Sequence, residues 1–391
     1  MKYLKLSIFL IILLYIPYSF LTSGNILDFD FIRKFAGWET IRFDNTKTIN
    51  GDGSEFRIYY RKGSENNLIV HFSGGGACWD YDSTSQPITA LDAIAVQAFG
   101  KEVLTGCKQN LWPQIIPNGL KGIFEKDDTN PFRNWHVVFI PYTTGDFHIG
   151  KSPNKIYEKD GEPSQTEAIN HSGFYNTSQA LKWIESRNFN LQKVIVSGDS
   201  AGALASIYWG REFNKIYPSS NIYQISDGFS LVINDAKSFF KKAWNVDTQD
   251  EFGVDSEDNL VLPAFLSYLK SDYKNDKMKH LHINSIYDDI LIGFSSTLFN
   301  VKKGSEIKKE WSQTMLQTTK KLSESELNYN YFISDYGLND KGYTAHTNIL
   351  SDGYIENKHK DTSLKQWLVD NIINDKNTSI GEEYFDRSDK Q

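Results

Sequence analysis

Cysteine and methionine are scarce in this chain of 391 residues, which has two cysteines and three methionines. Two cysteines are too few for a disulfide-built scaffold or a thiolate metal cluster. The sequence has no H-E-x-x-H motif and no closely spaced histidine pair outside a strand, so we predict no metal site. It also has no internal repeat and no membrane-spanning apolar run after residue 21. These absences exclude a repeat array and a multi-span membrane protein.

Positive charge is also in deficit, because the formal net charge is −7. A chain of this sign is a poor partner for nucleic acid or for an anionic membrane surface, and we predict neither. Hydrophobic residues make up 40% and charged residues 23%, which is ordinary for a globular protein. The length suits one large α/β domain or two small ones.

The N-terminus carries the only long apolar run. Lys2 and Lys5 precede apolar residues 6–21, and small residues follow at 22–24. This order predicts a secretory signal over residues 1–23, with a single domain over residues 24–391. The alternative is an uncleaved membrane anchor, since the run approaches spanning length. Both a cleaved signal and an uncleaved anchor predict that the rest of the chain is exported.

The two cysteines are Cys78 and Cys107. In an exported protein, a pair of cysteines is more often bridged than free. We therefore predict a local disulfide between them, close to a glycine cluster. The alternative is two buried thiols.

Short apolar and β-branched runs recur along the chain and predict strands at residues 56–61, 68–72, 136–141, 193–196, 221–226, 280–287 and 329–334. Helical spacing of apolar residues predicts helices at 177–187, at 201–217 and near the C-terminus. Strands that alternate with helices predict an α/β fold, with a mostly parallel sheet covered on both faces. Residues 235–279 interrupt this order and predict a small helical insertion, either a lid or ordinary packing helices.

The strongest local motif is G-x-S-x-G at residues 198–202, which centres on Ser200. It lies directly after a predicted strand and directly before an alanine-rich helix. A sharp turn between strand and helix projects the serine hydroxyl clear of the sheet, which a nucleophile requires. The pattern therefore predicts a nucleophilic serine, and the alternative is a structural turn.

A serine nucleophile needs a base, which in this arrangement is a histidine late in the chain. His282 lies inside a predicted strand, and His359 lies in a charged polar run. His346 follows the last predicted strand, where the base is expected. Because of this position, we predict that His346 is the base.

The third group is an acid that orients the imidazole. Asp288 follows the predicted strand that ends at residue 287, and it is the candidate. Asp289 is adjacent but one step away, so its side chain points elsewhere. Asp227, at the end of the preceding strand, is the second candidate. Each could instead cap the helix that follows it.

A glycine run at residues 74–76 follows the predicted strand 68–72. Such a run lets backbone N–H groups approach a bound carbonyl, as in an oxyanion hole. Gly75, Gly76 and Ala201 are the candidate donors. A phosphate-binding loop is the alternative, but no G-K-[ST] follows the run.

Residues 142–150 follow another strand at the same edge of the predicted sheet. Asp146 and His148 in this stretch are candidates either for the pocket wall or for bracing the glycine loop, and Trp79 is a further pocket candidate. His71 and His136 lie in or at strands, which is typical of packing residues.

Together these residues resemble the pectin acetylesterase and Notum family. The matching blocks are residues 74–80, 144–150, 197–202, 287–288 and 346–347. The resemblance implies an α/β-hydrolase fold without a cofactor, a Ser200–Asp288–His346 triad, and an oxyanion hole of Gly75, Gly76 and Ala201. The chain departs from the family by carrying Asp199 where many members have cysteine.

These observations predict a secreted serine carboxylesterase, a monomer that deacetylates a carbohydrate such as an acetylated polysaccharide. Three alternatives stay open: a lipid-removing or lipase-like esterase, an amidase or acyltransferase, and an inactive binding protein on the same fold.

Overall fold

A computed structural model describes residues 37–43, 48–85, 121–159, 161–163, 168–231, 235–253, 261–270, 278–298 and 303–387, together with positions 34 and 301. The predicted leader, residues 1–23, and Cys107 lie outside the described residues, so the signal and the Cys78–Cys107 pairing stay predictions. None of the helices in the described part of the chain combines eighteen residues with the apolar composition of a membrane span.

One eight-stranded sheet organises the described residues. Its strands are β1 Trp38–Arg42, β2 Arg57–Arg61, β3 Asn67–Phe72, β4 His136–Ile140, β9 Lys193–Asp199, β10 Asn221–Asp227, β11 Lys279–Ser285 and β12 Tyr329–Ser334. Their order across the sheet is β1-β2-β4-β3-β9-β10-β11-β12. The pairings of β1 with β2 and of β2 with β4 are antiparallel, and the five pairings from β4 to β12 are parallel. Only β2 runs against the other strands, so the carboxyl ends of the other seven strands lie at one edge of the sheet.

Three two-stranded ribbons complete the strands. They pair β5 Ser152–Lys155 with β8 Ile169–His171, β6 Glu158–Lys159 with β7 Glu162–Pro163, and β13 Lys358–His359 with β14 Thr362–Ser363.

Ten α-helices lie among the described residues. They are α1 Tyr81–Ser85, α2 Gly173–Ser186, α3 Ala201–Ile216, α4 Ala236–Trp244, α5 Thr248–Phe252, α6 Val261–Leu266, α7 Asp289–Leu298, α8 Ser305–Ser323, α9 Gly353–Glu356 and α10 Leu364–Ile372. Short 3₁₀ turns occur at Gly122–Phe124, Ser267–Lys270 and Glu382–Arg387.

The sheet is covered on both faces because its strands are apolar on both. Successive side chains of a strand point to opposite faces. Accordingly Leu68 and Val70 belong to one buried cluster and Ile69 to the other. Helices α2, α3 and α8 cover the first face, and α9 and α10 cover the second. This confirms the predicted α/β class.

The region predicted as an insertion, residues 235–279, contains α4, α5, α6 and a 3₁₀ turn among its described residues, between β10 and β11. Asp235 caps α4 by accepting the N–H of Ser238 at 3.0 Å. The amphipathic helix α4 buries Phe240 and Trp244. These aromatic side chains bring the segment against the glycine loop, as described below.

Candidate active site

Ser200 lies at the turn between β9 and α3, at the carboxyl edge of the sheet. Its backbone has φ 52° and ψ −120°, a region that non-glycine residues rarely occupy. Such strain costs on the order of 1–3 kcal/mol and persists only where the surroundings hold it. Here the Ser200 N–H donates to the carbonyl oxygen of Asp227 at 2.8 Å. Since α3 begins directly after Ser200, the positive end of its dipole lies at the serine.

The turn requires both glycines of the motif. A Cβ at Gly198 would lie 1.9 Å from the carbonyl oxygen of Gly202. A Cβ at Gly202 would lie 2.0 Å from the carbonyl oxygen of Phe72. Neither distance is possible between real atoms, so a larger residue at either position would open the turn. The pattern read from the sequence thus corresponds to a real packing constraint.

His346 and Asp288 form a hydrogen-bonded pair. Nδ1 of His346 donates to Oδ2 of Asp288 at 2.7 Å, and Asp288 is only 1% exposed. The second oxygen of Asp288 accepts two N–H groups in the first turn of α7, which fixes the carboxylate. Burial alone would lower the pKa of His346, but the charge and hydrogen bond of Asp288, together with the charges of Asp227 and Asp199, outweigh burial and raise the pKa. The Nε2 atom of His346 has no hydrogen-bond partner among the described residues.

Ser200 and His346 lie against neighbouring residues of one turn. The Ser200 N–H bonds the carbonyl of Asp227, and the next residue, Gly228, packs against the imidazole. A Cβ at Gly228 would lie 3.3 Å from Cε1 of His346, the ring atom next to Nε2. The structure therefore places Ser200 and the His346–Asp288 pair against the same two residues, 227 and 228, although Ser200 and His346 are 146 positions apart in the sequence.

The glycine loop packs directly on the serine turn. A Cβ at Gly74 would lie 2.8 Å from Cβ of Ser200 and 2.5 Å from the carbonyl oxygen of Asp199. The next two residues, Gly75 and Gly76, follow at the same edge. Their N–H groups and that of Ala201 have no acceptor among the described residues. Donors without an internal acceptor next to a serine are what an oxyanion hole needs.

A buried histidine behind the serine turn holds this loop. His71, on β3, is fully buried, and its Nε2 donates to Oδ1 of Asp199 at 2.8 Å while Nδ1 lies 2.9 Å from Oγ of Ser197. The same Asp199 oxygen accepts the N–H of Gly74 at 3.0 Å. Burial alone would raise the pKa of Asp199, but the hydrogen bond and charge of His71 lower it. The sequence predicts only a packing role for His71, whereas the structure adds its hydrogen bonds to Asp199 and Ser197. Two features of the sequence could have indicated the pair with Asp199: a histidine in an apolar strand just before the glycines, and Asp199 in place of cysteine.

Asp227, the second acid candidate, lies on the other side of the serine turn. Its Oδ2 accepts the N–H groups of Asn348 and Ile349, both at 2.7 Å. The residue is 1% exposed, and burial raises its pKa to about 7. The imidazole of His346 bonds Asp288 instead. Asp227 thus contacts the backbone of the histidine loop and not the histidine nitrogen.

Asp146 and His148, two of the pocket candidates, are both almost wholly buried and form hydrogen bonds inside the protein. His148 donates from Nε2 to the carbonyl of Ser73 at 2.9 Å, immediately before the glycines. Asp146 accepts the N–H of Gly173 at 2.8 Å and thereby anchors α2. Burial lowers the pKa of His148 to about 4 and raises that of Asp146 to about 6. The contacts of His148 correspond to the bracing alternative, those of Asp146 hold the start of α2, and the pocket assignment stays a prediction.

Trp79, the third pocket candidate, is half-buried three residues after Gly76. Its ring lies 5.3 Å from that of Phe294 on α7, edge to face, and 5.9 Å from that of Phe239 on α4. Trp79 therefore belongs to an aromatic cluster beside the glycine loop.

The same cluster ties the predicted insertion to the site. Trp244, at the end of α4, donates from Nε1 to the carbonyl of Cys78 at 2.8 Å. Its ring lies 5.0 Å from Phe147, which in turn lies 6.2 Å from Phe229. Segments that follow four strands, β3, β4, β10 and β11, thus meet beside the glycine loop.

Among the described residues, no group of three or more histidine, cysteine, aspartate or glutamate side chains is arranged to hold a metal ion.

The sheet order, the serine turn and the late histidine loop define an α/β-hydrolase fold. Two crystal forms of the Wnt deacylase Notum from Drosophila share it, each with a TM-score of 0.55 and 14% identity. Each alignment covers 85% of this chain, and the Notum chains are covered to 92% and 91%. At this identity the likeness establishes the fold alone.

The sequence profile of the pectinacetylesterase family matches residues 44–385, and the chain belongs to this family. Two relatives from Arabidopsis thaliana are pectin acetylesterase 11, 28% identical over 180 residues, and pectin acetylesterase 7, 28% identical over 188 residues. These alignments cover 43% and 45% of this chain and 39% and 41% of the relatives. The chain thus matches about two fifths of the length of these curated relatives.

Proposed function

We propose that this chain is an exported serine carboxylesterase that removes short acyl groups, acetyl above all, from a carbohydrate. His346 takes the proton of Ser200, whose oxygen attacks the ester carbonyl, and Asp288 orients the imidazole. The N–H groups of Gly75, Gly76 and Ala201 stabilise the oxyanion. The alcohol leaves with the proton from His346, and water then releases the acyl group from Ser200 by the same path.

One observation carries the proposal. The His346–Asp288 pair leaves Nε2 of His346 without another partner, beside the turn that holds Ser200. The raised pKa of His346 favours proton uptake during the attack. Family membership agrees with esterase chemistry.

The aromatic cluster supports a short acyl group. Phe147, Phe229 and Trp244 are each at most 4% exposed, and Trp79 and Phe294 close the same side. A long acyl chain next to the glycine loop would have to displace these rings, because buried side chains leave few voids. These buried rings therefore favour an acetyl group over a fatty acyl group, which disfavours the lipid-removing alternative.

Ser200→Ala tests the proposal directly. We expect p-nitrophenyl acetate hydrolysis to fall by about 10⁴-fold or more, with an unchanged circular dichroism spectrum. Ser220→Ala is the control for loss of a serine hydroxyl, because Ser220 bonds Leu191 at the opposite edge of the sheet; Ser220 is buried, whereas Ser200 is partly exposed. Full activity in Ser200→Ala would overturn the assignment.

An ester panel from acetate to palmitate tests the acyl class. We expect kcat/KM to fall at least about tenfold from acetate to octanoate, since the cluster must open to admit the longer chain. Phe294→Ala should reduce the ratio of kcat/KM for acetate to kcat/KM for octanoate, because it makes room for the longer chain beside Trp79. A wild-type preference for palmitate would instead support a lipid-removing or lipase-like esterase.

Export rests on residues 1–23, and N-terminal sequencing of the mature protein tests it. A new terminus near residue 24 is expected, whereas an intact N-terminus retained in membranes would indicate an anchor.

A further inference from the structure

The loop that carries His346 is strained. Thr347, the next residue, has φ 54°, and β-branched residues are genuine outliers in this region. Such a conformation persists only when contacts on both sides of it fix the backbone. Towards the N-terminal side, the bond from His346 to Asp288 is one such contact.

Asp227 supplies the contact on the other side. Its Oδ2 accepts the N–H groups of Asn348 and Ile349, each at 2.7 Å, from a fully buried position. One acceptor with two short bonds to consecutive N–H groups sets both the position and the direction of this backbone. Thr347 is thereby held between two carboxylates.

The same residue also holds the serine turn, because the carbonyl oxygen of Asp227 accepts the Ser200 N–H at 2.8 Å. Gly228 follows with φ 72°, and its missing side chain lets Thr347 and His346 approach, since a Cβ there would lie 3.0 Å and 3.3 Å from them. Asp227 therefore contacts both halves of the site, the serine turn through its backbone and the histidine loop through its side chain.

We propose that Asp227 is a positioning residue that fixes the His346 loop against the Ser200 turn. The assignment rests on the proposed function of this site. Asp227 does not touch the reacting atoms; it acts through the backbone of residues 347–349.

Three acidic groups surround His346: Asp288 at its Nδ1, with Asp227 and Asp199 nearby on β10 and β9. Each raises the pKa of the imidazole, and Asp199 is itself paired with His71. Loss of charge at Asp227 should therefore also lower the pKa of His346.

The test compares Asp227→Ala, Asp227→Asn and a control, Asn371→Ala. Asparagine keeps an oxygen acceptor of the same shape, whereas alanine leaves both N–H groups without a partner. Asn371 is likewise fully buried and likewise bonds backbone groups, those of Thr378 seven positions along the chain, but away from the site. Asp227→Ser is added in case the alanine variant does not fold, because serine is too short to reach both N–H groups.

With p-nitrophenyl acetate, Asp227→Ala should lower kcat about 100-fold while KM changes less than about threefold. Asp227→Asn should recover kcat to within about fivefold, and its acidic pH limb should move to lower pH. Asn371→Ala should leave kcat unchanged even where it lowers Tm. A folded Asp227→Ala or Asp227→Ser variant with wild-type kcat would overturn the positioning role.

Hydrogen exchange makes the test independent of activity. The amides of residues 348 and 349 should be protected in the wild type, lose at least about tenfold protection in Asp227→Ala, and regain it in Asp227→Asn. Equal protection in all variants would overturn the proposal. If the wild type exchanges as expected but hydrolyses no ester, the proposed function fails while the structural role of Asp227 stands.

Discussion

Two carboxylates flank Ser200 in matching positions, yet they differ in exposure, in hydrogen-bond partners and in pKa. Asp199 ends β9, Asp227 ends β10, and the two are register partners in the sheet. The side chain of Asp199 is 21% exposed and bonds His71, whereas Asp227 is 1% exposed and has one oxygen without a partner among the described residues. Accordingly the pKa of Asp199 is lowered, and burial raises that of Asp227 to about 7.

The difference shows that the available partner, and not the position in the sheet, decides the charge of a carboxylate. Asp199 holds the glycine loop through Gly74 as an ionised acceptor with a histidine behind it. Asp227 holds the histidine loop as an acceptor that titrates near neutrality. The two sides of the site should therefore respond differently to substitution and to pH.

Matched Gly→Ala substitutions should give the largest effect. On the Asp199 side, a Cβ at Gly74 would collide with backbone, 2.5 Å from the carbonyl oxygen of Asp199. On the Asp227 side, a Cβ at Gly228 would meet only side-chain atoms, the methyl of Thr347 at 3.0 Å and the ring of His346 at 3.3 Å. We expect kcat/KM for p-nitrophenyl acetate to fall about 100- to 1000-fold in Gly74→Ala, as when an oxyanion donor is lost, and about tenfold in Gly228→Ala.

Gly53→Ala is the control for these variants, because Gly53 also has positive φ, at 85°, with no atom within 4 Å of the added Cβ. It should lower stability without lowering kcat. A larger loss of kcat/KM in Gly228→Ala than in Gly74→Ala would contradict the expected difference between the two sides of the site.

The pH dependence of stability should separate the two carboxylates next. The pKa of Asp227 is raised in the folded state to about 7, so the folded chain binds a proton that the unfolded chain releases above its lower pKa. Its contribution therefore weakens as pH rises from 5 to 8. Relative to the wild type, Asp227→Asn should gain up to about 3 kcal/mol in free energy of unfolding over that interval.

Asp199→Asn should show the opposite slope. The pKa of Asp199 is lowered in the folded state, so its stabilisation is present above the unfolded pKa and is lost as pH falls through the folded value. Urea unfolding at pH 3, 5 and 8 measures both variants. Parallel pH dependences in the two would show that their environments do not differ as described.

The smallest expected effect is on the activity of Asp199→Asn. The amide oxygen can still accept the Gly74 N–H, so the glycine loop stays in place. Loss of the charge facing His71 should lower kcat about three- to tenfold, with KM little changed. A loss beyond about 100-fold would mean that the charge itself, and not the acceptor, holds the loop.

The sequence predicts the serine turn well, because steric rules leave few residues that fit it. Gly198 and Gly202 are required by contacts that no side chain could avoid, and such constraints are visible as a motif. The glycine loop and His346 are predicted from a different signal, their order after the predicted strands. The roles assigned to Ser200, Asp288 and His346 stay proposals.

What the sequence could not predict depends on distant contacts. The bonds of Asp227 to residues 348 and 349 join segments 121 and 122 positions apart, and no local pattern encodes them. Strand β1, Trp38–Arg42, is short and mostly polar and was not predicted. Helix α8, Ser305–Ser323, was also missed, although Ile307, Trp311 and Met315 repeat at a spacing of four on its buried face.

Fluorophosphonate labelling followed by peptide mapping tests the central claim most directly, because the probe bonds only to a serine activated by a nearby base. We predict one labelled residue, Ser200, and no label in His346→Ala. A label on another serine, or none on the folded wild type, would contradict the account.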